Sequence, residues 1–214
     1  MTTYPLIELH YLPTLEYMAL LLHHGGAELE THEHFQRRTF RNRTHILTDK
    51  GVLALSLPLE GGNKGGMKQG IQEIRIDAGS RGPQKHWRAL ETAYASAPFF
   101  EHYAPFLEPI FNRPPDTLFE FSYQLLTKCL ELMQIGINLT FSKDFVHTVP
   151  SDQPDARDTL TPRASFEHRP WYRPVPYYQV FGGTFVPNLS VLDLLFTNGP
   201  QSSQILAQSV EKGR

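Results

Sequence analysis

The densest concentration of reactive groups in this 214-residue chain is Gln36-Arg37-Arg38-Thr39-Phe40-Arg41-Asn42-Arg43. As extended backbone it sends Arg37, Arg41 and Arg43 to one side and Arg38, Phe40 and Asn42 to the other. Three guanidinium groups on one face repel one another unless an anion or carboxylates lie among them. Each fork grips a phosphate or carboxylate through two parallel hydrogen bonds. Two readings are open. The segment is a subsite for a phosphate-bearing small molecule (the diphosphate of a nucleotide sugar, or the phosphopantetheine of a carrier-bound acyl group), with Arg41, Asn42 and Arg43 in contact. Alternatively, its arginines pair with Glu28, Glu30 and Glu33 just upstream.

A second constellation is His86-Trp87-Arg88, read as the opening of a helix, where the positive end of the dipole favours an anion. An imidazole there is a candidate general acid or base, because its ordinary pKa lies near neutrality. Lys85 and Arg88 add positive charge to the same helix start, which suits an acidic or phosphorylated ligand. The third lies near the C-terminus. Asn188 reads as a helix N-cap, and Ser190, Asp193 and Thr197 fall opposite the apolar stripe Leu189, Leu192, Leu195 and Phe196. Those polar groups either form a solvated face or line the mouth of a cleft, where Asn188 and Ser190 bind substrate and Asp193 orients a base. Tyr11, beyond the first strand, is placed to stack a ring or to buttress a turn.

Ten histidines raise the question of a metal. Glu30, His32 and His34 would share a strand face, but the sequence has no His-Glu-x-x-His and no cysteine pair, so no metal site is expected. The absence of Gly-x-Ser-x-Gly and Gly-x-Gly-x-x-Gly removes the simple serine-hydrolase and dinucleotide readings. No cofactor is named by any motif.

The elements that must position these groups can be read from periodicity. A strand over Leu6–Leu12 leads to a helix capped by Thr14 that runs to His23 and stops at Gly25-Gly26. Next come a strand over 27–35, a hairpin of about Thr44–Leu47 and Val52–Pro58 around Asp49-Lys50-Gly51, a Gly-rich loop or lid at 60–70, and an untidy strand at 71–76. The middle is helical: one helix through Trp87, Leu90 and Tyr94, one restarted by Pro98, and the longest capped by Asp116 and stopped at Gly136. A short strand over 137–141 precedes a Pro-rich irregular segment, 149–176, then a Gly182-Gly183 hairpin and the helix after Asn188, ended by Asn198-Gly199-Pro200. The expected class is α/β (or α+β): an N-terminal mixed sheet with hairpins, a central helical region, and a C-terminal hairpin plus short helix. One domain, 1–214, is expected from this length.

Composition narrows the function. Twenty basic against 22 acidic residues give a net charge of −2, which disfavours a broad nucleic-acid interface. The single Cys129 sits in an apolar helical pattern and reads as a buried small hydrophobe in a reducing compartment. The N-terminal residues lack a basic region followed by an apolar one, and no run is long enough to span a bilayer, so a cytoplasmic location is expected.

The run Phe185-Val-Pro-Asn-Leu-Ser-Val-Leu-Asp-Leu-Leu-Phe-Thr-Asn-Gly-Pro200 closely resembles a C-terminal motif of the WbqC-like family of bacterial proteins. In order along the chain, Tyr11-Leu12-Pro13 with Tyr17, the 36–43 segment, Trp87-Arg88 with Glu91 and Tyr94, and Ala97-Pro98-Phe99-Phe100 resemble it too. The resemblance spans Tyr11 to Pro200. Relatives of this kind carry a longer stretch before the C-terminal motif, so the chain reads as shortened near 149–176. The resemblance implies a link to O-antigen and surface-polysaccharide gene clusters, and it adds weight to the Asn42-Arg43 pair. The expectation is a transferase of surface-polysaccharide precursor synthesis moving an acyl or aminoacyl group and using a phosphate-bearing substrate. Its working parts would be His86 for the proton, Asp193 to orient it, and Tyr11, Arg41, Asn42, Arg43, Asn188 and Ser190 to bind. The alternative is a non-catalytic metabolite- or partner-binding protein that keeps the fold. The sequence does not determine an oligomeric state.

Overall fold

The structure is a computed structural model that describes residues 3–61 and 69–211. The Gly-rich loop expected at 60–70 therefore falls almost wholly outside the described residues. β1 (Leu6–Ile7) and β2 (Gly26–Leu29) run parallel, and β2 also pairs in parallel with β5 (Asn138–Phe141), giving the order β1-β2-β5. The apolar run expected to be strand through Leu12 leaves the sheet after Ile7. Leu12 has φ 44° and Tyr11 N–H donates to the Phe40 carbonyl, so the chain turns away early. The strand expected over 27–35 likewise ends at Leu29.

Between β1 and β2 lies α1 (Leu15–His24). Thr14 Oγ1 accepts from Tyr17 N–H at its start, and Gly25, at φ 69°, ends it in the left-handed region. Gly26 then lets two strands close up: a Cβ there would sit 2.2 Å from the Asn138 carbonyl oxygen. Every residue from Leu15 to Leu21 is buried, because α1 packs against both β2 and a C-terminal helix, α6 (Ser202–Gln208). That last helix lies beyond the expected Asn198-Gly199-Pro200 stop.

β3 (Arg43–Thr48) and β4 (Gly51–Ser56) form the expected hairpin, with Thr48 opposite Gly51 across the turn. The expected strand at 71–76 is instead a 3-10 turn, Ile71–Glu73, followed by single bridges from Arg75 to Thr117 and from Ile76 to Leu59. Three helices come next: α2 (Gly82–Tyr94), α3 (Phe100–Asn112) and α4 (Leu118–Leu132). Trp87, Phe100, Phe111 and Phe121 interlock across them, with Phe196 against Phe100 at 5.0 Å between ring centroids. Pro105 and Pro109 are tolerated inside α3 because both lie on its exposed face, where unpaired carbonyls meet water.

The caps differ from expectation in ways the side chains explain. Thr117, not Asp116, caps α4: its hydroxyl accepts from Glu120 N–H, while the Asp116 carboxylate bonds Arg75 at 2.9 Å. Gln134, at φ 56°, rather than Gly136, carries the left-handed turn beyond α4. α5 (Val191–Asn198) is capped by Ser190, whose hydroxyl accepts from Leu192 N–H. No strands flank Gly182-Gly183 among the described residues. The Gln179 amide takes the place of a ladder, donating to the Val186 carbonyl and accepting from Val186 N–H, each at 2.9 Å. The 149–176 segment carries no helix or strand, yet it is anchored: Asp155 bridges Leu6 alongside β1, and Tyr172 bridges Val210. The fold class is α/β, with small sheets and flanking helices. Among the described residues no helix is long and apolar enough to cross a membrane.

Candidate functional site

The carboxyl ends of β1 and β2 lie side by side, and in parallel sheets such ends are the usual location for ligands. Glu8 and His10 follow β1; Glu30 and Glu33 follow β2. Arg41, fully buried, reaches into this corner from the loop before β3. Its Nε donates to Glu33 Oε1 at 2.7 Å, and its Nη2 donates to Glu33 Oε2 and, at 2.9 Å, to Asp158 Oδ1. His10 Nε2 lies 3.0 Å from Glu8 Oε1, and Asp158 N–H donates to Glu8 Oε2 at 3.0 Å. Tyr17 and Phe40 pack on the His10 ring, with centroids 4.5 and 5.5 Å away.

Three carboxylates thus meet one guanidinium and one imidazole in a largely dry corner. Burial pushes the Glu33 carboxyl up to about 7 against the pull of the Arg41 fork. Burial also acts on Glu8, but His10 and Arg41 outweigh it and hold that carboxyl below its ordinary value. The environments therefore drive two neighbouring carboxyl groups in opposite directions, a pattern that marks acid–base sites. Two polar atoms in the same corner, His10 Nδ1 and Arg41 Nη1, are buried and have no hydrogen-bond partner among the described residues. Buried donors are rarely left so unless a water or ligand meets them.

A strap from the Pro-rich segment closes the corner. Leu6 N–H donates to the Pro154 carbonyl and Ala156 N–H to the Leu6 carbonyl, both at 2.9 Å, which aligns the strap with β1. Asp158, at φ 57°, turns its carboxylate onto Arg41 while remaining 47% exposed. Arg157 bonds Asp155 with two nitrogens, each at 2.9 Å, and reaches Glu30 at 3.3 Å. Glu30 also accepts from Ser142 Oγ, Val146 N–H and His32 N–H. With Glu30 so engaged and His32 and His34 exposed, the expected shared face does not form. Among the described residues no group of three or more His, Cys, Asp or Glu side chains is placed to hold a metal ion.

Apart from Asn42 and Arg43, the residues singled out from sequence fall into three separate polar knots. Arg41 belongs to the carboxylate corner, as the ion-pair reading had it, with Glu33 as its partner. Asn42 and Arg43 turn the other way: Asn42 Nδ2 donates to the Leu57 carbonyl and Arg43 Nε to Ser56 Oγ, each at 2.9 Å. The segment before them runs through turns, with Arg38 at φ 62°, so the arginines do not line one face. Tyr11 and His86 do meet, Tyr11 Oη lying 2.8 Å from His86 Nδ1. But α2 starts at Gly82, so His86 sits in its second turn and not at the dipole's end. Burial lowers the His86 imidazole to about 4, which leaves it neutral at pH 7.

The third knot is built on α5. Asp193 is fully buried and accepts from Tyr94 Oη at 2.8 Å, Tyr177 Oη at 2.7 Å and Gln179 Nε2 at 3.1 Å. Its stripe faces the protein because α5 is covered on both sides, and among the described residues no bond joins Asp193 to His86 or to an arginine. Ser190 Oγ donates to the Leu12 carbonyl and its N–H to the His45 carbonyl. Asn188, at φ 55°, serves α1 instead of its own helix: Oδ1 accepts from Glu16 N–H and Nδ2 donates to the Glu16 carboxylate. Arg169 completes that pairing at 2.7 Å. Cys129 is fully buried and its thiol is pushed up to about 12, an inert position.

Sequence reasoning missed Glu8, His10 and Asp158. Glu8-x-His10 at a strand end was a weak signal, and Asp158 gave none, lying 150 residues from Glu8 in a segment without periodicity. Comparison with known proteins agrees with the motif resemblance. Uncharacterized protein Rv1507c of Mycobacterium tuberculosis (strain ATCC 25618 / H37Rv) is similar, 28% identical over 227 residues that cover 94% of this chain and 96% of that protein. No solved structure matches. A profile of the WbqC-like protein family matches residues 9–160 and 166–205, taking in His10, Glu33, Arg41 and Asp158 of the carboxylate corner, the Tyr11–His86 pair and the α5 knot, and the chain belongs to that family.

Proposed function

We propose that the chain is a cytoplasmic group-transfer enzyme of surface-polysaccharide precursor synthesis, with its acid–base centre at Glu8, His10, Glu33, Arg41 and Asp158. The observation that carries this reading is the opposed pair of carboxyl groups, Glu33 raised to about 7 and Glu8 held low, beside His10 Nδ1 and Arg41 Nη1, which have no hydrogen-bond partner among the described residues. Carboxylates outnumber cations there, so the corner suits an amine or hydroxyl acceptor better than a phosphate. In acyl transfer to an amino sugar, the amine nitrogen bonds the acyl carbon and its proton passes to the Glu33 carboxylate. The donor's leaving group departs with the bonding electron pair. Arg41 holds Glu33 in register, and His10 Nδ1 and Arg41 Nη1 are free to bond acceptor oxygens. His86, Asn188 and Ser190 act in this reading as supports for the loop from Tyr11 to Glu16, and Asp193 as the support of Tyr94, Tyr177 and Gln179.

Incubation with nucleotide-linked amino sugars and acyl or aminoacyl donors, followed by mass spectrometry of the products, tests it. Glu33→Gln should reduce product formation about 100-fold or more, the range for loss of a general base. Unaltered turnover in that variant removes Glu33 from the chemistry. One observation favours a second reading, a non-catalytic metabolite-binding protein: the strap covers the corner with its own hydrogen bonds. Saturable sugar binding without turnover for any donor supports it.

A further inference from the structure

A cavity of about 530 Å³ opens beside the start of α2, with Arg81, Lys85 and Arg88 on one wall and Ile76, Pro114 and Pro115 on the other. Lys85 and Arg88, three apart, project from one face of α2, and Arg81 precedes its first residue, so three like charges meet at one cavity and repel. All three are exposed, and among the described residues none makes an ion pair. The acidic group on the rim, Asp116, pairs with Arg75 at 2.9 Å, a guanidinium that also lies 3.6 Å from Glu60, and one carboxylate is outnumbered by the three cations of the lining. The cavity therefore holds a net positive charge near the positive end of a 13-residue helix. Its proline wall is flat and apolar, a surface on which a sugar or base can lie. The volume falls within the range of small-ligand sites.

We propose that this cavity binds the phosphates of a nucleotide-sized ligand through Lys85, Arg88 and Arg81. It gives phosphate a place that Arg41, committed to carboxylates, does not offer, and in naming that substrate's phosphate subsite it rests on the proposed function.

Isothermal titration of the full chain with uridine diphosphate and, separately, inorganic pyrophosphate tests the assignment. Saturable binding is expected. It should weaken about 100-fold in the Lys85→Ala, Arg88→Ala double variant, since each charged hydrogen bond contributes roughly a factor of ten, and fall with added salt. Both side chains are exposed, so the double variant should keep its fold. Tighter binding of uridine diphosphate than of pyrophosphate assigns a role to the proline wall; equal binding confines the site to phosphate. Absence of saturation up to about 1 mM, the weak end of affinity, or equal binding by the double variant and the wild type overturns the proposal. Glu33→Gln should leave nucleotide binding unchanged. A protein that binds nucleotide but never turns over keeps this site while losing the enzymatic reading.

Discussion

Replacing Arg41 with Met removes the guanidinium that holds Glu33 and Asp158 and leaves the carboxylate corner with His10 as its remaining partner. Three charge-assisted bonds disappear: two to Glu33, whose side chain is 6% exposed, and one to the half-exposed Asp158. The bond to Asp158 is screened by solvent and counts for little. Breaking the buried pair costs about 3–5 kcal/mol, because a carboxylate stays behind without compensation. For a chain of this size that lowers Tm by roughly 10 °C. The deficit should depend on pH with a definite sign. The Glu33 carboxyl is raised from 4.5 to about 7, so its contribution is fully present below about 4.5 and is lost as pH rises through about 7. Without Arg41 that value climbs further and the loss deepens. Glu8 behaves oppositely: held below 4.5, it contributes above that pH and loses its contribution on acidification. At pH 8 the variant bears the whole penalty; at pH 5 Glu33 is protonated in both proteins and most of the penalty vanishes. Thermal unfolding followed by circular dichroism should give a Tm deficit at pH 5 less than half that at pH 8. A deficit independent of pH, or one below about 1 kcal/mol at pH 8, would refute the view that Arg41 serves to balance buried carboxylates.

Asp193→Asn turns one acceptor into a donor facing the hydroxyls of Tyr94 and Tyr177 and the amide of Gln179. It should cost about 2–4 kcal/mol by urea denaturation, and wild-type stability in Asp193→Asn would remove the α5 knot from the fold's supports. Tyr11→Phe strands His86 Nδ1 in the core and should cost about 1–3 kcal/mol. The His86 imidazole, lowered to about 4, contributes stability above its ordinary 6.5 that is lost as pH falls through about 4. Its ring resonances should not titrate above pH 5, and a midpoint near 6.5 by NMR would show that His86 is solvated.

Periodic apolar residues made α1 to α5 and the first hairpin readable, because core burial repeats every 3.6 or 2 residues, whereas α6 went unread. Thr14 and Gly25 were legible as the ends of α1 for the same local reason. The hairpin expected around Gly182-Gly183 does not form, since a single side chain, Gln179, satisfies backbone groups that a ladder would otherwise serve. Asn188 looked like a cap for the helix it precedes; it caps one that begins 173 positions earlier, at Leu15, a relation local sequence does not encode. Asp193 and Ser190 read as outward because polar residues usually are, and only coordinates show that partners cover α5 on its polar stripe as well. Arg41 was visible as chemistry, and Glu33 as a partner for it. Glu8 and Asp158 were invisible as companions because β1 is two residues long and the strap has no period.

The strap beside β1 also sets a timetable. During synthesis Glu8, Glu33 and Arg41 leave the ribosome long before Asp158, so for most of translation the outer rim of β1 has no neighbour and the arginine lacks one of its carboxylates. Long-range closures of this kind form late, and an uncovered strand edge invites pairing with other chains. Fragments that stop short of Pro154 should therefore precipitate, whereas the same fragments given the missing peptide in trans should recover solubility.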